Sequence, residues 1–145
     1  MTITVEEQPE HSDVSRVYDA VDLFNVSATG DASDKRIVAF LRGSDGQIQG
    51  GVVGDCWGGW LHIRALWVAE PLRHQGYGSR LLGVVEEAAR EGGCDQAYLD
   101  TFSFQAPQFY KRRGYEVFAS LPGHPRHHTH YFLKKELSRP MPNNG

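Results

Sequence analysis

The sequence predicts a mixed α/β domain built around a central sheet, and two observations carry this prediction. Three successive segments, 36–42, 47–54 and 61–68, are rich in strand-forming residues and are separated by short glycine turns. After residue 70, strand-like segments alternate with segments whose apolar residues repeat at helical spacing. A meander followed by alternating helices and strands is typical of a sheet covered by helices.

Turn and cap residues set the bounds of the elements. Ser12 or Asp13 caps the first helix and Gly30 ends it. Gly92 ends the second helix, in which Leu81, Val85 and Ala88 fall on one face. In chain order we predict a strand at 2–5, a helix through 14–24, strands at 36–42, 47–54 and 61–68, a helix at 76–91, a strand at 96–101, a helix at 105–113, and strands at 115–120 and 131–137.

Length and composition favour one soluble domain. The chain has 145 residues, 40% of them hydrophobic and 23% charged, which are ordinary values for a globular domain. We expect a single domain over residues 1–137 and a flexible, Pro/Asn-rich tail over 138–145. The net charge of -3 argues against a protein that coats nucleic acid.

The expected location is the cytoplasm. The N-terminus lacks the basic start and apolar stretch of a signal peptide. No run approaches the roughly 20 apolar residues that span a bilayer, so no membrane partner is expected. Cys56 and Cys94 fit no Cys-x-x-Cys pattern, and two free thiols suit a reducing compartment.

The segment before the second predicted helix has the composition of an anion-binding turn. It reads Arg73-His74-Gln75-Gly76-Tyr77-Gly78-Ser79. The first turn of a helix has backbone N–H groups without intrahelical partners, and the helix dipole adds positive character there. Glycines keep side chains away from an anion, while Arg73 adds a charge and Ser79 a hydroxyl. We therefore predict that a pyrophosphate binds at this turn.

The glycines fit two common phosphate-binding motifs poorly. A dinucleotide site needs a third glycine where this chain has Leu81, and it belongs to a parallel βαβ unit, whereas the preceding strand here closes a meander. A P-loop ends in Gly-Lys-Ser/Thr, which is missing. A glycine-rich helix start that binds no ligand remains as the alternative, and only the surrounding residues argue against it.

Two motifs resemble the GNAT superfamily of N-acetyltransferases. The first is Leu66-Trp67-Val68 followed by Arg73-His74-Gln75-Gly76-Tyr77-Gly78, which is similar to a strand and then Gln/Arg-x-x-Gly-x-Gly/Ala opening a helix. The second is Ala106-Pro107-Gln108-Phe109-Tyr110-Lys111-Arg112-Arg113-Gly114-Tyr115, which is similar to Ala-x-x-Phe-Tyr-x-x-x-Gly-Phe/Tyr. The order of elements also matches, so the resemblance covers most of the chain and points to a bacterial subgroup of small acetyltransferases.

The resemblance implies the GNAT fold and acetyl-CoA as cosubstrate. That fold is a mixed, mostly antiparallel sheet of about six or seven strands with three or four flanking helices, and its strands splay after 61–68 to admit CoA. Many members have an Asn that contacts the cofactor shortly before the Phe-Tyr pair, whereas this chain has Gln105 in that neighbourhood, so the contact made there is in doubt. The cofactor-binding residues implied are Leu66, Trp67, Val68, Arg73, His74, Gln75, Gly76, Tyr77, Gly78, Ser79, Gln105 and Arg112.

Two residues are candidates for proton transfer. The resemblance implies that the phenol of Tyr110 protonates the departing CoA thiolate; the alternative is that Tyr110 only packs its helix. His62 precedes Val68 on the same predicted strand, at about the place where histone-type relatives carry a catalytic glutamate. An imidazole can take a proton near neutral pH. A water chain as base, with His62 a plain strand histidine, is equally compatible with the sequence.

The acceptor site is predicted from weaker signals. His124, His127, His128 and His130 form a dense cluster, and imidazole suits zinc, but no carboxylate or Cys completes a ligand set in the sequence, so we expect no metal. We expect this segment, His128 in particular, to border the acceptor pocket. Phe24, at the end of the first helix, is a second candidate for its wall.

Together these features predict an N-acetyltransferase that moves an acetyl group from acetyl-CoA directly to a primary amine, with a small molecule favoured. Transfer to a protein lysine or N-terminus, a non-catalytic acyl-CoA sensor and a nucleotide-binding regulatory domain are the alternatives. The acceptor itself is not specified, because loops decide it and the fold does not. Exposed sheet edges leave a homodimer open.

Overall fold

The computed structural model describes residues 1–137, so the tail predicted to be flexible, 138–145, lies outside the described residues. The chain divides into two compact units, Met1–Ala32 and a second that begins at Ser33, and each is described by itself. No helix within residues 1–137 is long and apolar enough to cross a membrane.

The first unit contains one helix, α1 (His11–Thr29). Gly30 ends it in the left-handed conformation at φ 71°, and its N–H donates to the Val26 carbonyl. The strand predicted at 2–5 is wrong, since these residues have no strand structure. Alternating side chains give a segment two faces, but a strand also needs a hydrogen-bonded neighbour, and no strand of the described chain pairs with this one.

The second unit contains a six-stranded sheet in the order β1-β2-β3-β4-β6-β5. Only β3 and β4 run parallel, and every other pair is antiparallel. Two helices and a short 3-10 turn complete it, which confirms the mixed, mostly antiparallel prediction. The bounds are β1 (Lys35–Arg42), β2 (Ile48–Trp57), β3 (Trp60–Val68), the 3-10 turn Glu70–Leu72, α2 (Tyr77–Glu91), β4 (Gln96–Phe102), α3 (Pro107–Arg112), β5 (Glu116–Pro122) and β6 (Thr129–Glu136).

Helix α2 supplies much of the core. Its buried side chains include Leu81, Leu82, Val85 and Ala89, which pack with buried strand residues such as Leu61 and Leu99. Burying each large aliphatic side chain contributes roughly 1.5–3 kcal/mol. Ala88, predicted on the buried face, is only half-buried, because the stripe that passes through Leu81 and Val85 continues to Ala89.

The sheet opens between its two central strands. β3 and β4 pair only from Trp60–Gln96 to Ile63–Leu99, and beyond that point they separate. A bulge lies at the same place: Val53 pairs with Ala65 and Gly54 with Ile63, so Arg64 is an extra residue on β3. A bulge bends and twists its strand. The splay predicted after 61–68 is therefore present, and it begins beside Arg64.

Candidate active site

A cavity of about 1020 Å³ occupies the gap between β3 and β4. Residues 63–68 form one wall, and residues 99–101 of β4 form part of another. The first turn of α2 closes one end, and α3 with the loop before it closes a side. A space of this size suits a bound cofactor, since ligand sites span about 300–1,000 Å³.

The start of α2 offers backbone donors to this cavity. Gly76 precedes the helix at φ 86°, a conformation that favours glycine. The first intrahelical bond runs from the Arg80 N–H to the Gly76 carbonyl, so the amides of Tyr77, Gly78 and Ser79 have no intrahelical acceptor. These residues line the cavity. The arrangement is an anion site of the predicted kind.

Side chains before α2 hold this turn against the end of β3. Arg73 Nε donates to the Val68 carbonyl at 2.9 Å. Gln75 Nε2 donates to the Pro71 carbonyl at 3.1 Å, and Gln75 is not among the cavity-lining residues. Arg73 and His74 do line the cavity. The turn therefore brings positive charge to the mouth of the anion site.

The open edge of β3 is the second element of the site. Leu66, Trp67 and Val68 pair with β2 along one edge. Their other edge has no partner strand in the described chain, because β4 has already diverged. Backbone N–H and C=O groups on that edge can pair with an extended ligand as an added strand would.

Tyr110 of α3 lies inside the cavity wall and is buried. Burial, and secondarily the Asp100 carboxylate, raises the pKa of Tyr110 to about 12. The phenol is therefore protonated at neutral pH and can donate a proton.

Gln105 holds the loop before α3. Its Oε1 accepts hydrogen bonds from Thr101 Oγ1 at 3.1 Å and from the Phe102 N–H at 3.0 Å. Arg112 also lines the cavity.

His62 lies beside the cavity without lining it. Its ring stacks on Tyr98, with 4.3 Å between centroids. Burial lowers the pKa of His62, and the Asp100 carboxylate opposes that shift. His62 is therefore neutral near pH 7, as a base must be, and its role as base remains a prediction.

The sequence pattern did not single out Asp100, which lies where β4 leaves β3. The β4–β6 pairing brings His130 to it, with His130 Nε2 2.7 Å from Asp100 Oδ2. The Nδ1 atoms of His130 and His124 are 3.2 Å apart. The alternation of side chains along the strand 96–102 could have placed Asp100 on the same face of the sheet as His62. Its partner His130, however, is 30 residues away in sequence, and only the pairing of strands reveals that contact.

The other predicted acceptor residues have different surroundings. His128 packs edge-on against Phe104, with centroids 4.8 Å apart, and Phe104 lines the cavity. Within residues 1–137 no group of three His, Cys, Asp or Glu side chains is arranged to hold a metal ion. Phe24 belongs to the first unit, so its place in an acceptor site remains a prediction.

Comparison with known proteins identifies the family of the chain. Residues 4–115 match the acetyltransferase (GNAT) family. The chain belongs to the GNAT family. It is an acyl-CoA-dependent N-acetyltransferase that uses acetyl-CoA as its cosubstrate and transfers the acetyl group to an amine. The fold and family predicted from the two motifs are confirmed.

Individual bacterial proteins support the assignment. This GNAT protein is 45% identical over 99 residues to a blasticidin-S acetyltransferase of Streptomyces morookaense, covering 68% of this chain and 73% of the relative. It is 34% identical to an acetyltransferase of Agrobacterium fabrum, covering 72% and 77%. A crystal structure of an acetyltransferase from Bacillus cereus superposes with a TM-score of 0.80 at 35% identity, covering 92% of this chain and 97% of that one.

Proposed function

We propose that this enzyme transfers the acetyl group of acetyl-CoA directly to the primary amine of a small molecule. The observation that carries the proposal is one continuous cavity, which joins the anion site at α2 to Tyr110 and Asp100. Donor and acceptor can therefore meet in a single space, and holding them together lowers the barrier to reaction. A relative that is 45% identical is named for acetyl transfer to blasticidin-S, a small molecule.

In this proposal CoA lies along the open edge of β3. Its pyrophosphate binds the first-turn amides of α2, with Arg73 and Arg112 adding positive charge and His74 lining the same end of the cavity. The pantetheine arm pairs with the backbone of residues 66–68. The Val68 N–H then polarises the thioester carbonyl as charge develops on its oxygen.

The chemistry needs three proton transfers. The acceptor's ammonium group passes a proton to His62 through a bridging water, since His62 does not line the cavity, and the neutral amine then attacks the thioester carbon; the tetrahedral intermediate collapses, and the C–S bond breaks. Tyr110 protonates the departing thiolate, and the resulting phenolate recovers a proton from the new amide nitrogen. Cys56 and Cys94 are buried and do not line the cavity, so the proposal includes no acetyl-enzyme.

Initial-rate kinetics test this proposal. Thiol release from acetyl-CoA is measured against a panel of small primary amines and, in parallel, peptides with free N-termini and lysines. The expected result is turnover of small amines with intersecting double-reciprocal lines, which indicate a ternary complex. Turnover of peptides alone would show that the acceptor is a peptide or protein and not a small molecule. Parallel lines would indicate an acetyl-enzyme intermediate instead of direct transfer, and CoA binding without any turnover would indicate a sensor.

A further inference from the structure

We infer that Asp100 binds the acceptor's amino group as an ammonium ion, and that His130 and His124 position its carboxylate for this purpose. The inference rests on the proposed function and specifies the chemical class of its substrate. Its first support is the charge distribution in the cavity. Among the described residues that line it, Asp100 is the one carboxylate, whereas Arg64, Arg73, Arg112 and Arg113 carry guanidinium cations.

The position of Asp100 along the cavity matches the reacting end of the donor. It follows Leu99, the last residue of β4 paired with β3. The anion site lies beyond Val68, at the far end of the unpaired part of β3. The carboxylate also influences the pKa values of both His62 and Tyr110. A cation held at Asp100 therefore lies near both groups that move protons in the proposed chemistry.

Hydrogen bonding fixes the carboxylate and leaves one of its oxygens for a ligand. Oδ2 is bonded to His130 Nε2, and since a carboxylate only accepts, the proton lies on Nε2. The Nδ1 atoms of His130 and His124 are 3.2 Å apart, so one ring donates to the other and His124 helps to orient the His130 ring. Within residues 1–137 no donor bonds Oδ1 of Asp100, whose side chain is 41% exposed.

The ring of His130 is held in place by aromatic neighbours. It is 9% exposed and lies against Phe102 and Phe132, with centroid separations of 4.3 and 4.5 Å. A fixed ring keeps Nε2 directed at Asp100, so the carboxylate does not lose rotational freedom when it binds a ligand. His130 is therefore a positioning residue, because it acts through Asp100.

Neighbouring groups define the rest of the acceptor. Arg64 also lines the cavity, but its ion pair is with Asp55 and not with Asp100. Phe104 lines the cavity and stacks on Phe102 at 5.3 Å, with His128 at its edge. A carboxylate beside stacked rings suits a primary ammonium carried on a planar or apolar group. We therefore expect cationic amines to be preferred over amines that are neutral at pH 7.

Steady-state kinetics of Asp100→Asn test the inference, with the best small amine from the acceptor panel as substrate. Loss of a charged hydrogen bond should raise the amine KM about 10- to 100-fold, with a smaller change in kcat and an unchanged acetyl-CoA KM. The matched control is Glu91→Gln, an exposed carboxylate outside the cavity, which should leave all three constants unchanged. An unchanged amine KM, or an equal rise in the acetyl-CoA KM, would overturn the inference.

A second variant isolates the positioning role. His130→Phe keeps the aromatic packing and removes the hydrogen bond to Asp100; we expect a smaller rise in the amine KM and no further rise when it is combined with Asp100→Asn. Additive effects would contradict positioning through Asp100.

The inference and the proposed function fail in different ways. If only peptides are turned over, the small-molecule acceptor is wrong, and the same KM comparison with the peptide decides the role of Asp100. Calorimetric binding of butylamine to the enzyme–CoA complex, with butanol as the uncharged comparison, needs no turnover. The inference is supported if the wild type binds butylamine and the Asp100→Asn variant binds it more weakly. Equal binding by the two proteins, or none by the wild type, overturns it.

Discussion

The phenol of Tyr115 donates a 2.8 Å hydrogen bond to Glu86, a carboxylate buried in the middle of α2. Lys135 of β6 completes the site, with its Nζ 3.0 and 3.2 Å from the two carboxylate oxygens. This network ties the second GNAT motif to the helix opened by the first motif. A buried carboxylate with both partners is tolerated, whereas one that loses its cation is costly.

We therefore predict that Lys135→Met destabilises the protein by about 3 kcal/mol. The matched control is Lys134→Met, because Lys134 is the next residue along β6 and lies over Phe118 without contacting Glu86. The free energy of unfolding in urea measures both variants. Equal losses would show that the ion pair with Glu86 stabilises the protein no more than a partly buried lysine without that contact.

Tyr110→Phe should lower kcat about 10²- to 10⁴-fold, the usual contribution of a positioned general acid. CoA affinity should change little, since only one hydroxyl is lost. Tyr131→Phe is the control, because Tyr131 is a partly buried tyrosine outside the cavity. A loss of thiol release of this size with unchanged CoA affinity would support the role of Tyr110 as general acid. Unchanged turnover would show that Tyr110 takes no part in the mechanism.

The raised pKa of Tyr110 also predicts the alkaline side of the pH–rate profile. An acid with a pKa of about 12 stays protonated through the whole working range. Turnover at saturating substrate should therefore show no decline from Tyr110 ionisation between pH 7 and about 10. A decline centred near pH 9 that disappears in Tyr110→Phe would contradict the assigned state of the phenol.

His62 should control the acidic side of the same profile. Burial lowers the pKa of His62 below its ordinary value of 6.5, so the neutral base forms as pH rises through a value below 6.5. Turnover should rise across that window in the wild type and lose this dependence in His62→Gln. The control is His127→Gln, on an exposed loop. Identical profiles for wild type and His62→Gln would reject His62 as base.

Gly76 and Gly83 form a matched pair for the anion site. Gly76→Ala forces a side chain into the left-handed region and should cost about 1–2 kcal/mol of stability while weakening CoA binding. Gly83→Ala lies within α2 at an ordinary helical φ, with open space around a new Cβ, and should stabilise by about 0.4–1 kcal/mol. Urea unfolding and calorimetric CoA titration separate the two effects; equal CoA affinity in both variants would contradict binding at this turn.

Local patterns predicted most of the fold, because meander, turns and helix periodicity are encoded within short segments. The bounds of α2 follow from residues close in sequence, whereas the splay after β3 was expected only from the family resemblance. Long-range pairing could not be read in this way. The bulge at Arg64 depends on register between β2 and β3, and the contact of Asp100 with His130 depends on strand pairing between β4 and β6. The prediction of a strand at 2–5 was wrong for the same reason, since alternating polar and apolar residues do not indicate whether a partner strand is available.

In the proposed reaction, the cavity between β3 and β4 brings acetyl-CoA and a small primary amine together. The decisive test is mass spectrometry of a reaction containing purified enzyme, acetyl-CoA with an isotopically labelled acetyl group and the amine panel. We expect a labelled N-acetyl amine and free CoA in equal amounts, with unmodified enzyme. CoA release without any labelled small amine, or label retained on the protein, would contradict the claim.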